Sequence, residues 1–276
     1  MEISVKDWWR IEQKGGPGSG NFGHSGRAGE VGGSGGSGGG GSYSKSAKSN
    51  MKILNLTEED FNKLSSFQNL ETKFSVKESE TIDKGIVFKG TFKDKTGNDI
   101  MNIEFSIPTA GPNANQTTFD LMEVNSNDQS RGYAKEILGR IEDISRKANK
   151  EKIELLADIT IGPYAWAKQG FDYSDKNKLK EAQKDLKGYI ISVARPIGLK
   201  VDKGILNEQI MKCKTPEDIA NFKVKGLEFS AKQLKKLNGF ENEGITGDHL
   251  KTIMHIGKAF MLDNAGHGDW IGVKKL

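Results

Sequence analysis

The chain has few of the residues that extracellular and metal-binding proteins use. Its 276 residues include one cysteine, Cys213, and four histidines. A single cysteine excludes an intramolecular disulfide and is typical of a protein from a reducing compartment. His249 and His255 lie six positions apart, which does not place two imidazoles on one helix face, so the sequence predicts no metal site.

Long hydrophobic runs are also scarce. The first ten residues carry two acids, Glu2 and Asp7, where a signal peptide would have basic and then apolar residues. No later run approaches the length that a membrane span needs. We therefore expect a cytoplasmic protein that has no membrane partner.

The charge of the chain is nearly balanced, with 41 basic and 37 acidic residues. Lysines between Lys176 and Lys187 alternate with acids, which is typical of a solvated helix face rather than of a phosphate-binding stripe. Nucleic acid is therefore not an expected partner.

Glycine is abundant, and most of its excess lies near the N-terminus. Residues 15–42 are mainly glycine and serine, so they cannot bury enough apolar surface to offset the entropy of ordering. We predict residues 1–50 to be a disordered signal or linker segment, with folded structure from about Met51.

From Met51 onward, the pattern predicts an α/β fold. Thr57 and Asp60 form a capping-box start for one helix. Alternating strand-like segments and a turn then predict an antiparallel meander, at residues 74–76, 86–92, 96–99 (the turn) and 100–107. After a break at residues 108–116, a strand ends at Val124 and an amphipathic helix runs from Ala134 to Ala148.

The junction between that strand and that helix carries a motif. Its residues are Gln129, Ser130, Arg131, Gly132, Tyr133 and Ala134. Amides at a helix N-terminus lack intrahelical partners and suit phosphate oxygens, while glycine lets the backbone approach a ligand closely. The junction therefore predicts a phosphorylated cofactor.

This run, from Val124 to Ala134, resembles motif A of the GCN5-related N-acetyltransferase (GNAT) superfamily, and residues 166–171 are similar to the family's aromatic-x-x-x-Gly-Phe element. The resemblance implies a mixed sheet with an antiparallel meander and a splayed parallel pair, which holds acetyl-CoA in the wedge. It implies pantetheine contacts to main chain from Met122 to Val124, and phosphate contacts to Gln129, Ser130, Arg131, Gly132, Tyr133 and Ala134.

The chemistry implied is transfer of an acetyl group to an amine. Glu123 on the motif strand is the candidate proton acceptor. The family's acid is a tyrosine four residues before the glycine, where this chain has Trp166. Tyr164 is the nearest replacement, provided that the segment begins as a loop, because residues two apart on a helix point about 200° apart.

The last third of the chain fits the resemblance least. We divide the chain into the segment 1–50, a GNAT-like core over residues 51–175 and a helical annex over residues 176–276. Helices are predicted from Lys176, Thr215 and Ser230, and a segment from Trp270 to Val273 is the candidate for a closing strand.

The N-terminal segment gives a second resemblance. Residues 14–34 include Asn21, Phe22, His24 and Arg27 among the glycines, and they look like a glycine-rich element of tailed-bacteriophage head-gene products. This implies a head-associated protein in the bacterial host cytoplasm or the virion, with phage head proteins as partners of the segment. A plain linker is the alternative.

Two other functions stay open. One is a non-catalytic phage head or host-interaction protein that retains the GNAT-like fold. The other is an ADP-ribosyltransferase, since Glu78 and Glu80 resemble the Glu-x-Glu pair of that family, although no Ser-Thr-Ser element accompanies them. Binding of acetyl-CoA or of a nicotinamide dinucleotide separates these classes. The sequence leaves the acceptor amine open between a macromolecule and a small molecule.

Overall fold

A computed structural model describes residues 41–67, 70–79, 83–124, 132–157, 162–242, 251–263 and 270–276. The strands are β1 (Gly41–Tyr43), β2 (Glu71–Glu78), β3 (Gly85–Lys93), β4 (Asp99–Pro108), β5 (Gln116–Val124), β6 (Lys152–Ala157), β7 (Asp172–Tyr173), β8 (Glu228–Ser230), β9 (Ile253–His255) and β10 (Trp270–Lys275). The helices are α1 (Lys45–Ile53), α2 (Glu58–Ser65), α3 (Tyr133–Lys147), α4 (Gly162–Lys168), α5 (Lys176–Ala194), α6 (Lys203–Ile210), α7 (Pro216–Ala220), α8 (Ala231–Asn238) and α9 (Ile256–Leu262).

Eight strands form one mixed sheet in the order β1-β2-β3-β4-β5-β6-β10-β7. Strands β2 to β5 are antiparallel neighbours, β5 and β6 are parallel, and β10 runs antiparallel between β6 and β7. The mixed α/β fold and the antiparallel meander predicted from the sequence are therefore confirmed. The C-terminal strand pairs along its whole length with β6, so the end of the annex belongs to the main sheet.

A row of aromatic rings crosses the buried face of the sheet. The rings of Phe74, Phe88, Phe105 and Phe119 stand on successive strands, with neighbouring centroids 5.1 to 6.3 Å apart. Phe61 of α2 stacks on Phe88 from above. Alternate residues of each strand thus enter the core, which is why the two-residue periodicity predicted these strands.

Helix α3 lies beside α2 and over β5 and β6, and it buries an apolar stripe that comprises Ile137, Leu138, Ile141 and Ile144. Arg140 of α3 donates hydrogen bonds to the carbonyl oxygens of Lys63, Leu64 and Ser66 at the end of α2. The Lys63 carbonyl also accepts from the Ser66 amide, whereas carbonyls at and after the last turn of a helix otherwise lack intrahelical partners, so Arg140 caps the end of α2.

The fold begins earlier than Met51, so the expected disorder of residues 41–50 is wrong. Strand β1 pairs in parallel with β2, and Ser44 caps α1 by accepting a hydrogen bond from the Ala47 amide. A side chain at Gly41 would place its Cβ 2.0 Å from the Phe74 ring, so glycine is required there. Tyr43 contacts Phe74, which anchors the strand. Residues 1–40 lie outside the described part of the chain.

The three helices predicted after residue 175 are present in the structure. Helix α5 begins after Asp175, α7 begins with Pro216 after the capping box of Thr215, and α8 begins after the capping box of Ser230. Within the described ranges, no helix is long and apolar enough to cross a membrane, and no three His, Cys, Asp or Glu side chains form a group that could hold a metal ion. His249 lies outside these ranges.

Candidate functional site

The parallel strands β5 and β6 separate part way along their length. Their pairing runs from Gln116 opposite Lys152 to Phe119 opposite Leu155. Beyond this point, residues 121–124 of β5 pair only with β4, and the last two residues of β6 pair only with β10, among the residues that the structure describes. The β6 side of β5 therefore presents backbone donors and acceptors to an opening in the sheet, as in the splayed pair that the resemblance implied.

A β-bulge marks the start of this opening. Glu104 of β4 lies opposite Leu121, whereas Phe105 lies opposite Phe119, so Asp120 is an extra residue on β5. Bulges bend the strand that contains them and increase its local twist. Because the bulge directly follows the last pair with β6, it accounts for the separation of the two strands.

The N-terminus of α3 follows β5 after residues that lie outside the described ranges. Gly132 is its N-cap residue, with φ 82°, and no side chain of the described chain caps the first-turn amides. No described atom lies within 4 Å of where a Cβ on Gly132 would stand. The helix therefore offers amide donors and a partial positive charge that suit an anion.

The remaining motif residues divide into two groups. Tyr133 packs edge-on against Phe67 at 5.9 Å, and Ala134 is buried, so both side chains stabilise the start of α3. Gln129, Ser130 and Arg131 lie outside the described residues, and their phosphate contacts stay a prediction.

The predicted pantetheine strand is described by its backbone. Met122 is half-buried against the core, and Glu123 lies opposite Asn102 of β4. The side chains of Glu123 and Val124 are outside the described part. The role of Glu123 as proton acceptor therefore stays a prediction, as do the backbone contacts of Met122 and Val124.

Helix α4 carries the two aromatic residues considered for the acid. Trp166 packs against Phe119 at 5.7 Å and Phe171 at 5.3 Å, which places its ring at the closed end of the opening. Tyr164 is 4% exposed, and the ammonium of Lys258 lies 5.1 Å from its ring centre. Helix α4 already begins at Gly162, so the loop that Tyr164 would need is not formed. This placement favours Tyr164 as a packed aromatic rather than as the acid.

Sequence reasoning missed Asp120. The bulge places this residue on the sheet surface at the start of the opening. Loss of hydration of the carboxylate, followed by the negative charge of Glu104, raises the pKa of Asp120 to about 6, although the residue as a whole is exposed. No local pattern indicates it, because an acid between apolar residues of a strand is typical of an ordinary outward position.

No protein-family model and no curated protein matches this chain. Several solved structures are similar to part of it, and two of these are acetyltransferases. Nourseothricin acetyltransferase shares 13% identity at a TM-score of 0.29, over 43% of this chain and 81% of that one. An acetyltransferase from Bacillus cereus shares 18% identity at a TM-score of 0.27, over 46% and 71% respectively. Because both sequence identities are below 25% and both TM-scores are below 0.5, neither likeness supports a function for this chain.

Proposed function

We propose that this chain is a GNAT-like acyltransferase that binds acetyl-CoA in the opening between β5 and β6 and transfers its acetyl group to an amine. The observation that carries this proposal is the end of β5–β6 pairing at Phe119, together with the start of α3 at Gly132, whose first-turn amides no side chain of the described residues caps. The end of β5 beyond its pairing with β6 and the start of α3 are consecutive in the chain, so one strand-to-helix connection carries both features.

The opening suits the two halves of the cofactor. An extended chain with amide groups, such as pantetheine, can pair with residues 121–124 of β5 as an added strand would. The pyrophosphate then meets the first-turn amides of α3, where Gln129, Ser130 and Arg131 are the predicted further contacts. A Cβ at Gly132 would point into open space that the phosphates need.

Acetyl-CoA supplies an activated thioester carbonyl to this site. The attacking amine must be neutral, so a base has to take its proton, and Glu123 is the residue predicted from the sequence. Backbone amides at the edge of the opening can stabilise the negative charge that develops on the carbonyl oxygen. The acceptor amine belongs to a macromolecule or to a small molecule.

One observation favours the non-catalytic alternative. The acid position of the family is held by Trp166, and Tyr164 is buried. A phage head or host-interaction protein that retains the fold would keep the opening and bind acetyl-CoA without turnover. Head association and location in the host cytoplasm or virion are proposals that rest on the resemblance of residues 14–34, which lie outside the described structure.

The ADP-ribosyltransferase alternative has less support. Glu78 ends β2, which is separated from β5 by two strands of the sheet, and Glu80 lies outside the described residues.

Calorimetric titration with acetyl-CoA tests the proposal. We compare the wild type with Gly132→Glu and with a matched control, Gly198→Glu. Both glycines have positive φ, 82° and 68°, and open space at the Cβ position, so both variants carry a similar backbone strain of about 1–2 kcal/mol. Only Gly132 lies at the start of α3.

We expect Gly132→Glu to abolish measurable binding, since it places bulk and a negative charge where the phosphates bind, while Gly198→Glu binds like the wild type. Equal thermal unfolding of the two variants would show that folding is not the cause. No binding by the wild type, or equal affinity in both variants, would contradict the proposal. Release of free thiol in the presence of a panel of amines separates catalysis from binding alone.

A further inference from the structure

A pair of carboxylates lies on neighbouring strands at the start of the opening. Asp120 stands on the bulge of β5, and Glu104 stands opposite Leu121 on β4. From this arrangement, and resting on the proposed function, we infer that Asp120 is the proton acceptor of the site and that Glu104 and Lys89 tune it.

The position of Asp120 is the first support. It is the first residue of β5 beyond the last pair with β6, Phe119 opposite Leu155. The bulge adds this residue to the strand without a partner on β4, so it occupies the place where the sheet opens. Glu123 lies three residues further along β5, within its regular pairing with β4.

The charged neighbours of Asp120 lie on the strands to either side of β5, which are β4 and β3 on one side and β6 on the other. Glu104 on β4 holds the Lys89 ammonium of β3 at 2.8 Å. Ser106 of β4 lies opposite Thr118, two residues before Asp120. On β6, Glu154 lies opposite Thr118 and is held by Lys152 at 3.1 Å. Among the described residues, Asp120 therefore has one close acidic neighbour, Glu104, and the Lys89 ammonium lies beyond it.

These neighbours act on the proton affinity of Asp120 in opposite directions. Loss of hydration and the Glu104 charge raise the pKa of Asp120, while the Ser106 hydrogen bond and the Lys89 charge lower it. The net result is a carboxylate with a pKa of about 6. A base is most effective when its pKa is close to the working pH, so this carboxylate suits proton transfer better than an ordinary aspartate.

A carboxylate with a pKa of about 6 can accept the proton of the amine and then donate it to the thiolate leaving group. The amine nitrogen forms the new C–N bond while the C–S bond of the thioester breaks, and the proton that the nitrogen loses goes to the Asp120 carboxylate. Protonated Asp120 then returns that proton to the departing thiolate, whose conjugate thiol has the higher pKa, about 8.5 for an ordinary thiol. The products are an amide and a free thiol. A tyrosine acid is not needed, which accounts for Trp166 at the acid position.

The test combines three measurements on the full chain: acetyl-CoA binding, the pH profile of kcat/KM, and the carboxyl pKa of Asp120 by carbon NMR in the protein without ligand. The variants are Asp120→Asn, Glu104→Gln and Lys89→Met. Asp99→Asn is the control, because Asp99 is a carboxylate on β4 paired with Lys93 at 2.7 Å, away from the bulge.

We expect the wild-type rate to fall below about pH 6 as Asp120 becomes protonated. Asp120→Asn should bind acetyl-CoA normally, lose this acidic limb and turn over about 10²-fold more slowly. Glu104→Gln removes a negative charge and should shift the limb to lower pH. Lys89→Met removes a positive charge and should shift it to higher pH. Asp99→Asn should match the wild type.

The outcomes that overturn the inference differ from those that overturn the proposed function. If the wild type binds no acetyl-CoA, the proposed function fails. If it binds and turns over but Asp120→Asn keeps the acidic limb, or if Glu123→Gln removes the limb instead, only the role of Asp120 fails. Binding without turnover overturns both catalytic statements. An NMR pKa near 4 for Asp120 refutes the inference whatever the kinetics show.

Discussion

Strand β1 should contribute measurably to the stability of the domain, although it emerges directly from the glycine-serine tract. Tyr43 makes edge-to-face contacts with Phe61 at 6.4 Å and Phe74 at 5.7 Å, and its hydroxyl donates to the Glu58 carbonyl at 3.1 Å. Each ring pair contributes about 0.5–1 kcal/mol and the hydrogen bond about 1 kcal/mol. Tyr43→Ala should therefore lower the free energy of unfolding by about 2–3 kcal/mol. This is less than for a fully buried aromatic residue, about 3–5 kcal/mol, because the ring is half-buried.

Two companion variants divide this effect. Tyr43→Phe removes only the hydroxyl and should cost about 1 kcal/mol or less. Gly41→Val puts a Cβ into the Phe74 ring, so it should detach β1 and cost at least as much as Tyr43→Ala. Ile53→Ala is the surface control, because Ile53 is 66% exposed at the end of α1, and it should stay within about 0.5 kcal/mol of the wild type.

The assay is denaturant unfolding of the full chain, in which the midpoint and the slope of the transition give the free energy of unfolding. The phenol adds a pH signature, because burial and then the Glu58 charge raise the pKa of Tyr43 to about 12. Folding favours the neutral phenol, so its contribution is complete below pH 10 and is lost as the pH rises from 10 to 12. Tyr43→Ala and Gly41→Val variants that both unfold like the wild type would refute the inclusion of β1 in the domain.

Two further predictions concern contacts that join α3 to its neighbours. Thr117 and Ser145 share a buried hydrogen bond of 2.8 Å. Thr117→Val or Ser145→Ala alone leaves one buried hydroxyl unpaired and should lower the free energy of unfolding by about 1–3 kcal/mol. In a double-mutant cycle measured by thermal unfolding, the double variant should lose less stability than the sum of the two single variants. Additive costs would contradict this coupling. Arg140→Met should cost about 2 kcal/mol in denaturant unfolding, since it uncaps α2 and removes the guanidinium 4.2 Å from the Phe67 ring. If Arg140→Lys has the stability of the wild type, the several hydrogen bonds of the planar guanidinium are not needed, which would contradict this explanation.

The meander could be predicted from the sequence because its strands have one buried face and one exposed face. In β3, Ile86 and Phe88 are buried, whereas Lys89 is exposed, and this alternation is visible without coordinates. The β3–β4 turn and the starts of α2, α7 and α8 were equally readable, because turn and cap residues act within four positions of one another.

The rest depends on contacts between distant residues. The order of Gly41 comes from the Phe74 ring, and composition alone assigns the same glycine to a flexible tract. The place of β10 between β6 and β7 joins Trp270 to Ala157, more than a hundred residues earlier. The bulge at Asp120 is a property of register between two strands, and no local pattern encodes it. These three features determine where the domain begins, how the sheet closes and where it opens.

The aromatic row ends at Phe119, and the opening between β5 and β6 begins at the next residue, Asp120. Phe119 is held on both sides, by Phe105 at 6.3 Å and by Trp166 at 5.7 Å, so β5 is fixed in the core up to this residue. Asp120 follows at once, on the bulge, without a partner on β6. The packing of Phe119 therefore fixes the backbone at the residue before Asp120, where the pairing of β5 with β6 ends. Trp166 therefore has a packing role: its ring contacts Phe119 and Phe171 and so helps to fix β5 at the residue before the bulge.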